Sequence, residues 1–222
     1  MKAAVGLIFD LDGTLVDTRQ GIASSIEYAI SRILPHRKVD PKVVIIGPPL
    51  RVMLRRLLGS VTSAEVDALE AVFRKQYDTE GYKQSRLYPG VDSTLNSLVA
   101  LGLPCFVLTN KPKTPTNLIL NYYGIAKYIT AAVCPDSVVP PFVSKLEAAK
   151  SIMSRFDLTR NSILVGDSSD DAEAAHGASI RFVAAAYGYG NAHRITQYSD
   201  CEQILLFSEI LKFAPPRTLM LT

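Results

Sequence analysis

Three short stretches of this sequence place acidic side chains and small hydrogen-bonding residues directly behind an apolar run. In Leu7–Thr14, LIFDLDGT, Asp10 and Asp12 stand two positions apart, with Gly13 and Thr14 following. Thr109-Asn110-Lys111 follows PCFVL, and Gly166-Asp167-Ser-Ser-Asp-Asp171 follows SILV. If the three stretches meet, four or five carboxylates share one small volume, and like charges in a partly dry site are costly or force protonation. A bound divalent cation or a shared proton relieves that cost. Carboxylate oxygens without histidine or cysteine beside them suit Mg²⁺ better than zinc, and Mg²⁺ readily takes a phosphate oxygen as a further ligand. The neighbouring groups also suit an anion. Thr109 and Asn110 offer neutral hydrogen bonds, the Leu11–Thr14 turn offers backbone N–H groups, and Lys145 offers a positive charge. Lys145 opens a helix, where the macrodipole disfavours a cation; an anion or the acid cluster in front of it makes sense of that placement.

These residues need a scaffold that brings their three stretches together. Apolar runs at Ala4–Phe9, Pro104–Leu108, Tyr128–Val133, Ser162–Val165 and Phe182–Ala185 read as buried strands. Helical patterns lie between most of them, which predicts an α/β fold with a doubly wound parallel sheet. Ligands in such sheets bind beyond the carboxyl ends of the strands, where the three polar stretches fall. Asp92–Leu101 carries Leu95, Leu98 and Val99 on one face, and Thr114-Pro115 reads as an N-cap and first helical residue, with Gly124 as the stop. Ser144 and Glu147 have capping-box spacing for a helix ending near Arg155, and Ser199–Lys212 reads as a last helix.

Residues 17–85 break the alternation. Ile22, Ile26, Ile30 and Ile33 recur at helical spacing, with Asp17 and Gln20 as a possible cap. Leu50, Met53, Leu54, Leu57 and Leu58 form a second apolar face, and Thr62 with Glu65 opens a third helix. No strand is expected here. The reading is a small helical cap domain, 17–85, inserted after the first strand of a core made of 1–16 and 86–222. Gly47–Leu50 and Arg51 on this insert are candidate substrate contacts.

Composition narrows the function. The chain has 222 residues, 48% of them hydrophobic and 20% charged, with a net charge of +3 and no long basic run, which argues against nucleic-acid or membrane-surface binding. No apolar stretch reaches the length of a spanning helix, and the N-terminus does not read as a secretory signal. Cys105, Cys134 and Cys201 are odd in number and far apart, so neither a disulfide framework nor a zinc site is expected, and a cytoplasmic setting fits. His36, His176 and His193 have no partner pattern. A monomer or homodimer is the default expectation.

The chain resembles the haloacid dehalogenase-like hydrolase superfamily. Asp10-Leu-Asp-Gly-Thr14 matches its first motif, Thr109 the second, Lys145 the third and Gly166-Asp167-x-x-x-Asp171 the fourth, in order from residue 7 to about 190. Leu87-Tyr-Pro-Gly-Val91, Thr109-Asn-Lys-Pro112 and Tyr187-Gly-Tyr-Gly190 look most like the phosphoglycolate-phosphatase branch. One departure is the third motif, whose lysine in that branch commonly precedes a proline further upstream. Here Val139-Pro-Pro-Phe-Val-Ser leads into Lys145, with Lys150 as the alternative.

The resemblance implies a Mg²⁺-dependent phosphatase acting on a small phosphorylated metabolite. Asp10 would be the nucleophile, forming an aspartyl-phosphate, and Asp12 the acid–base, also binding the metal through its backbone carbonyl. Asp10, Asp167 and Asp171 would supply carboxylate ligands, and Thr109 and Lys145 would hold the phosphoryl oxygens. Gly13, Thr14, Asn110, Lys111 and Arg51 would line the substrate site, and the cap would close as a lid. A sugar phosphomutase, a nucleotidase or a pyrophosphatase shares the same core. Dehalogenation needs no metal and leaves Asp12 without a purpose, and the insert's first helix lacks the lysine a phosphonate hydrolase would need. From a different class, a receiver-type phosphate switch has similar acids on a parallel sheet but is about half this length and has no insert. A catalytically dead scaffold does not account for the retained residue types.

Overall fold

Leu7–Phe9, Cys105–Leu108 and Ile163–Gly166 carry no polar side chain and are buried throughout, the pattern of parallel strands covered on both faces. The structure, a computed structural model, describes residues 4–40, 44–190 and 202–214. Its strands are β1 (Leu7–Phe9), β2 (Val16–Asp17), β3 (Arg86–Leu87), β4 (Cys105–Leu108), β5 (Ile129–Val133), β6 (Ile163–Gly166), β7 (Arg181–Ala185) and β8 (Glu202–Ile204). Its α-helices are α1 (Arg19–Ile33), α2 (Leu50–Leu58), α3 (Ser63–Thr79), α4 (Val91–Ala100), α5 (Lys113–Tyr122), α6 (Lys145–Arg155) and α7 (Ser169–Gly177).

Six strands form a parallel sheet in the order β5-β4-β1-β6-β7-β8. β1 lies between β4 and β6, with Phe9 level with both Val107 and Val165. The three polar stretches therefore emerge side by side. Alternation along β1 divides the core: Leu7 and Phe9 pack with Leu95, Leu98 and Ile119 on one face, and Ile8 packs with Ala148, Ile152 and Ala175 on the other. This is the expected doubly wound α/β architecture.

The insert forms its own apolar cluster, in which Ile22, Ile26 and Ile30 of α1 meet Leu54 and Leu58 of α2 and Leu69, Phe73 and Tyr77 of α3. The Thr62–Glu65 capping box opens α3 as expected. α1 approaches the 3₁₀ turn Gly81–Gln84 so closely that a methyl group on Gly21 would collide with the Gly81 carbonyl oxygen. Gly21→Ala should therefore destabilise the protein. Overpacking costs about 1–3 kcal/mol, more than the roughly 1 kcal/mol that alanine returns in helix propensity. A lower midpoint in urea denaturation is expected; a higher one would show that the helices separate at no cost.

Several elements differ from the sequence reading. The insert is tied to the core by a two-stranded antiparallel pair, with Val16 opposite Leu87 and Asp17 opposite Arg86, where no strand was expected. The N-cap of α1 is Thr18, with no side-chain cap of its own. Asp17 Oδ1 accepts the Arg19 N–H at 3.1 Å, and the Tyr189 hydroxyl, from the loop after β7, also accepts the Thr18 and Arg19 N–H groups at 2.5 and 3.1 Å and donates to Asp17 Oδ1 at 2.7 Å. α5 begins at Lys113, whose N–H donates to Asp136 Oδ1 at 2.8 Å, so Pro115 sits within the first turn, where its missing N–H costs nothing. The expected last helix is replaced, over its described part, by β8 and a 3₁₀ helix, Phe207–Phe213. Ser199, His193 and Cys201 lie outside the described residues. Among the described residues no helix is long and apolar enough to cross a membrane.

Candidate active site

Asp10 follows β1 directly, its N–H donating to the Val165 carbonyl at 2.9 Å, which fixes it at the sheet's carboxyl edge. Asp167 follows β6, and Asp171 is the third residue of α7. Its Oδ2 is committed to the capping box, accepting from Ser168 N at 3.0 Å and Ser168 Oγ at 2.5 Å. Asp10, Asp167 and Asp171 are buried and each offers a carboxylate oxygen within 4.8 Å of the others, the single such grouping of metal-binding residue types among the described residues.

Three glycines make room for this arrangement, among them Gly188, where a side chain would collide with Asp167. A side chain on Gly13 (φ 90°) would land on the Asp167 carboxylate, and one on Gly166 would overlap Asp171. Gly13 thus shapes the acid cluster. Thr14 is fully buried, its carbonyl accepting from the Tyr187 hydroxyl at 2.8 Å, and neither residue lines the crevice described below.

Lys145, at the first position of α6, reaches into the cluster, with Nζ 2.6 Å from Asp10 Oδ1 and 2.5 Å from Asp171 Oδ1. Burial works against its charge, but the two carboxylates hold it protonated well above the ordinary lysine range. Burial pushes Asp10 well up, and Asp171, Asp167 and Asp12 add to the push while Lys145 opposes it. Burial, followed by the charge of Asp171, raises Asp167 to about 7, although the Tyr189 and Gly190 N–H groups donate to its Oδ2 at 2.6 and 3.2 Å. One ammonium against three buried carboxylates leaves negative charge uncompensated. Hard oxygen donors with no histidine or sulfur among them fit Mg²⁺.

Asp12 stands apart from this trio. It accepts from Thr18 Oγ1 at 2.5 Å and from Lys111 Nζ at 2.8 and 3.1 Å. Lys111, expected to contact substrate, lines the crevice and pairs with Asp12, its ammonium 4.8 Å from the centre of the Tyr77 ring. Asp12 and Tyr77 raise its proton affinity against the effect of burial. Asn110 Nδ2 lies 3.4 Å from the Gly47 carbonyl of the cap and 3.3 Å from Asp170 Oδ2, so it spans cap and core. Thr109 is buried, and its Oγ1 accepts the Lys111 N–H at 3.1 Å.

A crevice of about 380 Å³ opens between cap and core. Asp10, Asp12, Thr109, Asn110, Lys111, Lys145 and Asp167 line its core side. Arg51 lines the cap side but is engaged by Asp67 and Glu70 at 2.6 and 2.8 Å. The roles of Tyr77, Thr18 and Tyr189 escaped the sequence reading, although Tyr189 stands in the Tyr187-Gly-Tyr-Gly190 stretch. Tyr77 and Tyr189 act on residues far away in sequence, and Thr18, six residues from the Asp12 it donates to, carries no motif of its own.

The family model for haloacid dehalogenase-like hydrolases matches residues 7–185. A phosphoglycolate phosphatase of Agrobacterium fabrum is 32% identical over 191 residues, covering 82% of this chain and 80% of that protein. The tyrosine-protein kinase PtkA of Mycobacterium tuberculosis is 33% identical over 196 residues, 87% of this chain and 66% of that longer protein. A crystal structure described as a predicted phosphoglycolate phosphatase from Haemophilus somnus superposes with a TM-score of 0.84 at 28% identity, covering 97% of this chain and all of that one (100%). With its motifs gathered at one sheet edge and the match running from β1 to the end of β7, the chain belongs to the haloacid dehalogenase-like hydrolase family.

Proposed function

We infer that the protein is a Mg²⁺-dependent phosphatase that hydrolyses a small phosphate monoester through an aspartyl-phosphate on Asp10. The observation that carries this reading is the buried trio of Asp10, Asp167 and Asp171 with Lys145 among them, of which Asp10, Asp167 and Lys145 line the crevice between cap and core. These three carboxylates and the Asp12 carbonyl would hold the metal, which when bound offsets charge on acids and phosphate and polarises the phosphoryl group.

The chain's own groups then divide the work. An Asp10 carboxylate oxygen attacks phosphorus as the ester P–O bond breaks. Asp12 gives a proton to the departing alcohol oxygen and later takes one from the water that attacks the aspartyl-phosphate, releasing inorganic phosphate and restoring Asp10. Thr18 and Lys111 hold Asp12 in place for both transfers. Lys145 and Thr109 stabilise the charge on the phosphoryl oxygens in the transition state. The cap excludes water from the first step.

Release of inorganic phosphate from p-nitrophenyl phosphate, with Mg²⁺ and after its removal by EDTA, tests the reading. Steady multiple turnover that EDTA abolishes and added Mg²⁺ restores is expected. A single-turnover burst would indicate a phosphate switch, transfer to another hydroxyl without phosphate release would indicate a mutase or kinase, and metal-independent turnover would overturn the metal assignment. A cytoplasmic setting agrees with the buried free thiols of Cys105 and Cys134.

A further inference from the structure

On the phosphatase reading the cap wall of the crevice faces the leaving group, and its cations are already matched. Arg51 is held by Asp67 and Glu70, and Arg74 Nη2 lies 2.6 Å from the other oxygen of Glu70. Asp78, further along α3, lines the same wall and makes no hydrogen bond or ion pair with a described residue; Arg74 and Lys111 act on it only at longer range. Two guanidinium groups thus stand on this wall beside the carboxylates of Glu70 and Asp78, with Asp67 holding Arg51 from outside the crevice. The nearest cation on the core side, Lys111, is taken by Asp12. Every cation lining the crevice is therefore paired with an acid, and none is spare for an acidic leaving group.

Between these charges the lining is apolar and aromatic, with Met53 and Phe73 from the cap and Phe142 from the core. The volume, about 380 Å³, lies in the range of about 300–1,000 Å³ typical of sites for ring-sized ligands, and a two-carbon acid would leave much of it unfilled. From the charge balance, the unpaired Asp78, the aromatic lining and the volume, we propose that the alcohol released is an uncharged, ring-bearing, hydroxyl-rich one, a sugar or a nucleoside, and not a hydroxy acid. Phe73 and Met53 offer surface to the ring, and Glu70 and Asp78 offer acceptors to its hydroxyls. A carboxylate there would be desolvated against like charge without a partner. The inference rests on the phosphatase reading above.

The test compares kcat/KM for phosphate release, with Mg²⁺, from p-nitrophenyl phosphate, 2-phosphoglycolate, a set of sugar phosphates and a set of nucleoside monophosphates. The best sugar or nucleoside ester should exceed phosphoglycolate by at least about tenfold. Phosphoglycolate equal to or better than both sets, with p-nitrophenyl phosphate still cleaved, overturns the substrate class and leaves the phosphatase reading standing. Cleavage of p-nitrophenyl phosphate alone also overturns it. No turnover of any ester defeats the phosphatase reading and the inference with it. Asp78→Lys, and Asp78→Asn as the milder change, should move the ratio toward phosphoglycolate, by about tenfold for the lysine; an unchanged ratio in both folded variants means that this wall does not read charge and overturns the proposal.

Discussion

Asp10→Asn abolishes turnover while leaving the fold intact. The amide matches the carboxylate in shape but cannot form the acyl-phosphate, and loss of a covalent nucleophile typically costs at least about 10⁴-fold in kcat. Stability should move the other way. Asp10 is buried among Asp171, Asp167 and Asp12, and burial and repulsion together outweigh the pull of Lys145. A neutral side chain removes one of these acids while Lys145 keeps its contact with Asp171. In EDTA the variant should therefore melt no lower than the parent. Phosphate release within tenfold of the parent would refute the nucleophile, and a collapse in melting temperature would show that Asp10 is chiefly a structural partner of Lys145.

Lys145→Met should fail on both counts. It keeps the length of the side chain but leaves Asp10 and Asp171 buried without their shared cation. Breaking a buried pair by removing one partner costs about 3–5 kcal/mol. For a chain of this size that is a fall of roughly 6–20 °C in melting temperature in EDTA. Saturating Mg²⁺ should restore much of the stability, because the ion fits the same acids. It should not restore turnover, because the charge offered to the phosphoryl oxygens is gone, a loss of about 10²–10³-fold. Lys150, exposed on the far side of α6, is the control: Lys150→Ala should leave both properties within the scatter of surface substitutions, about 0.5 kcal/mol. If the two variants behave alike, Lys145 does not fill the third-motif role.

The sequence announced the parts of the site that depend on strand ends. β1, β4 and β6 are unbroken apolar runs that stop at a polar residue, so Asp10, Thr109 and Asp167 were legible from hydrophobicity alone. Lys145 was legible from its placement in a first helical turn. The end of the chain was misread for a definite reason. Ile204, Phe207 and Ile210 are all buried and recur every three residues, a spacing that an α-helix nearly satisfies and a strand followed by a 3₁₀ helix satisfies as well. Strands of two residues such as β2 and β3 carry no periodicity to detect. Lys111 illustrates a deeper limit. Its type and its place beside Thr109 suggested a ligand for substrate, but the groups that claim it, Asp12 and Tyr77, come from a different strand end and from the cap. Tyr189 stands in the Tyr187-Gly-Tyr-Gly190 stretch, but its role could not be read there, since it reaches 171 positions back along the chain to cap a helix whose own N-cap side chain does not.

The pairing of β2 with β3 has a consequence for how such a protein can be rebuilt. Beside the six-stranded sheet, the chain running out through Val16 and the chain returning through Leu87 lie side by side as a separate pair, a strand's width apart. Joining two ends so close requires only a tight turn, and each doubling of the chain between them adds only about 0.6 kcal/mol of entropic penalty. The sheet is therefore nearly indifferent to what is spliced in at that point. Removing the three helices in favour of a short hairpin, or grafting a lid of another shape, leaves the strand-end acids anchored and exchanges the cap wall of the crevice together with the Tyr77 ring that lies against Lys111.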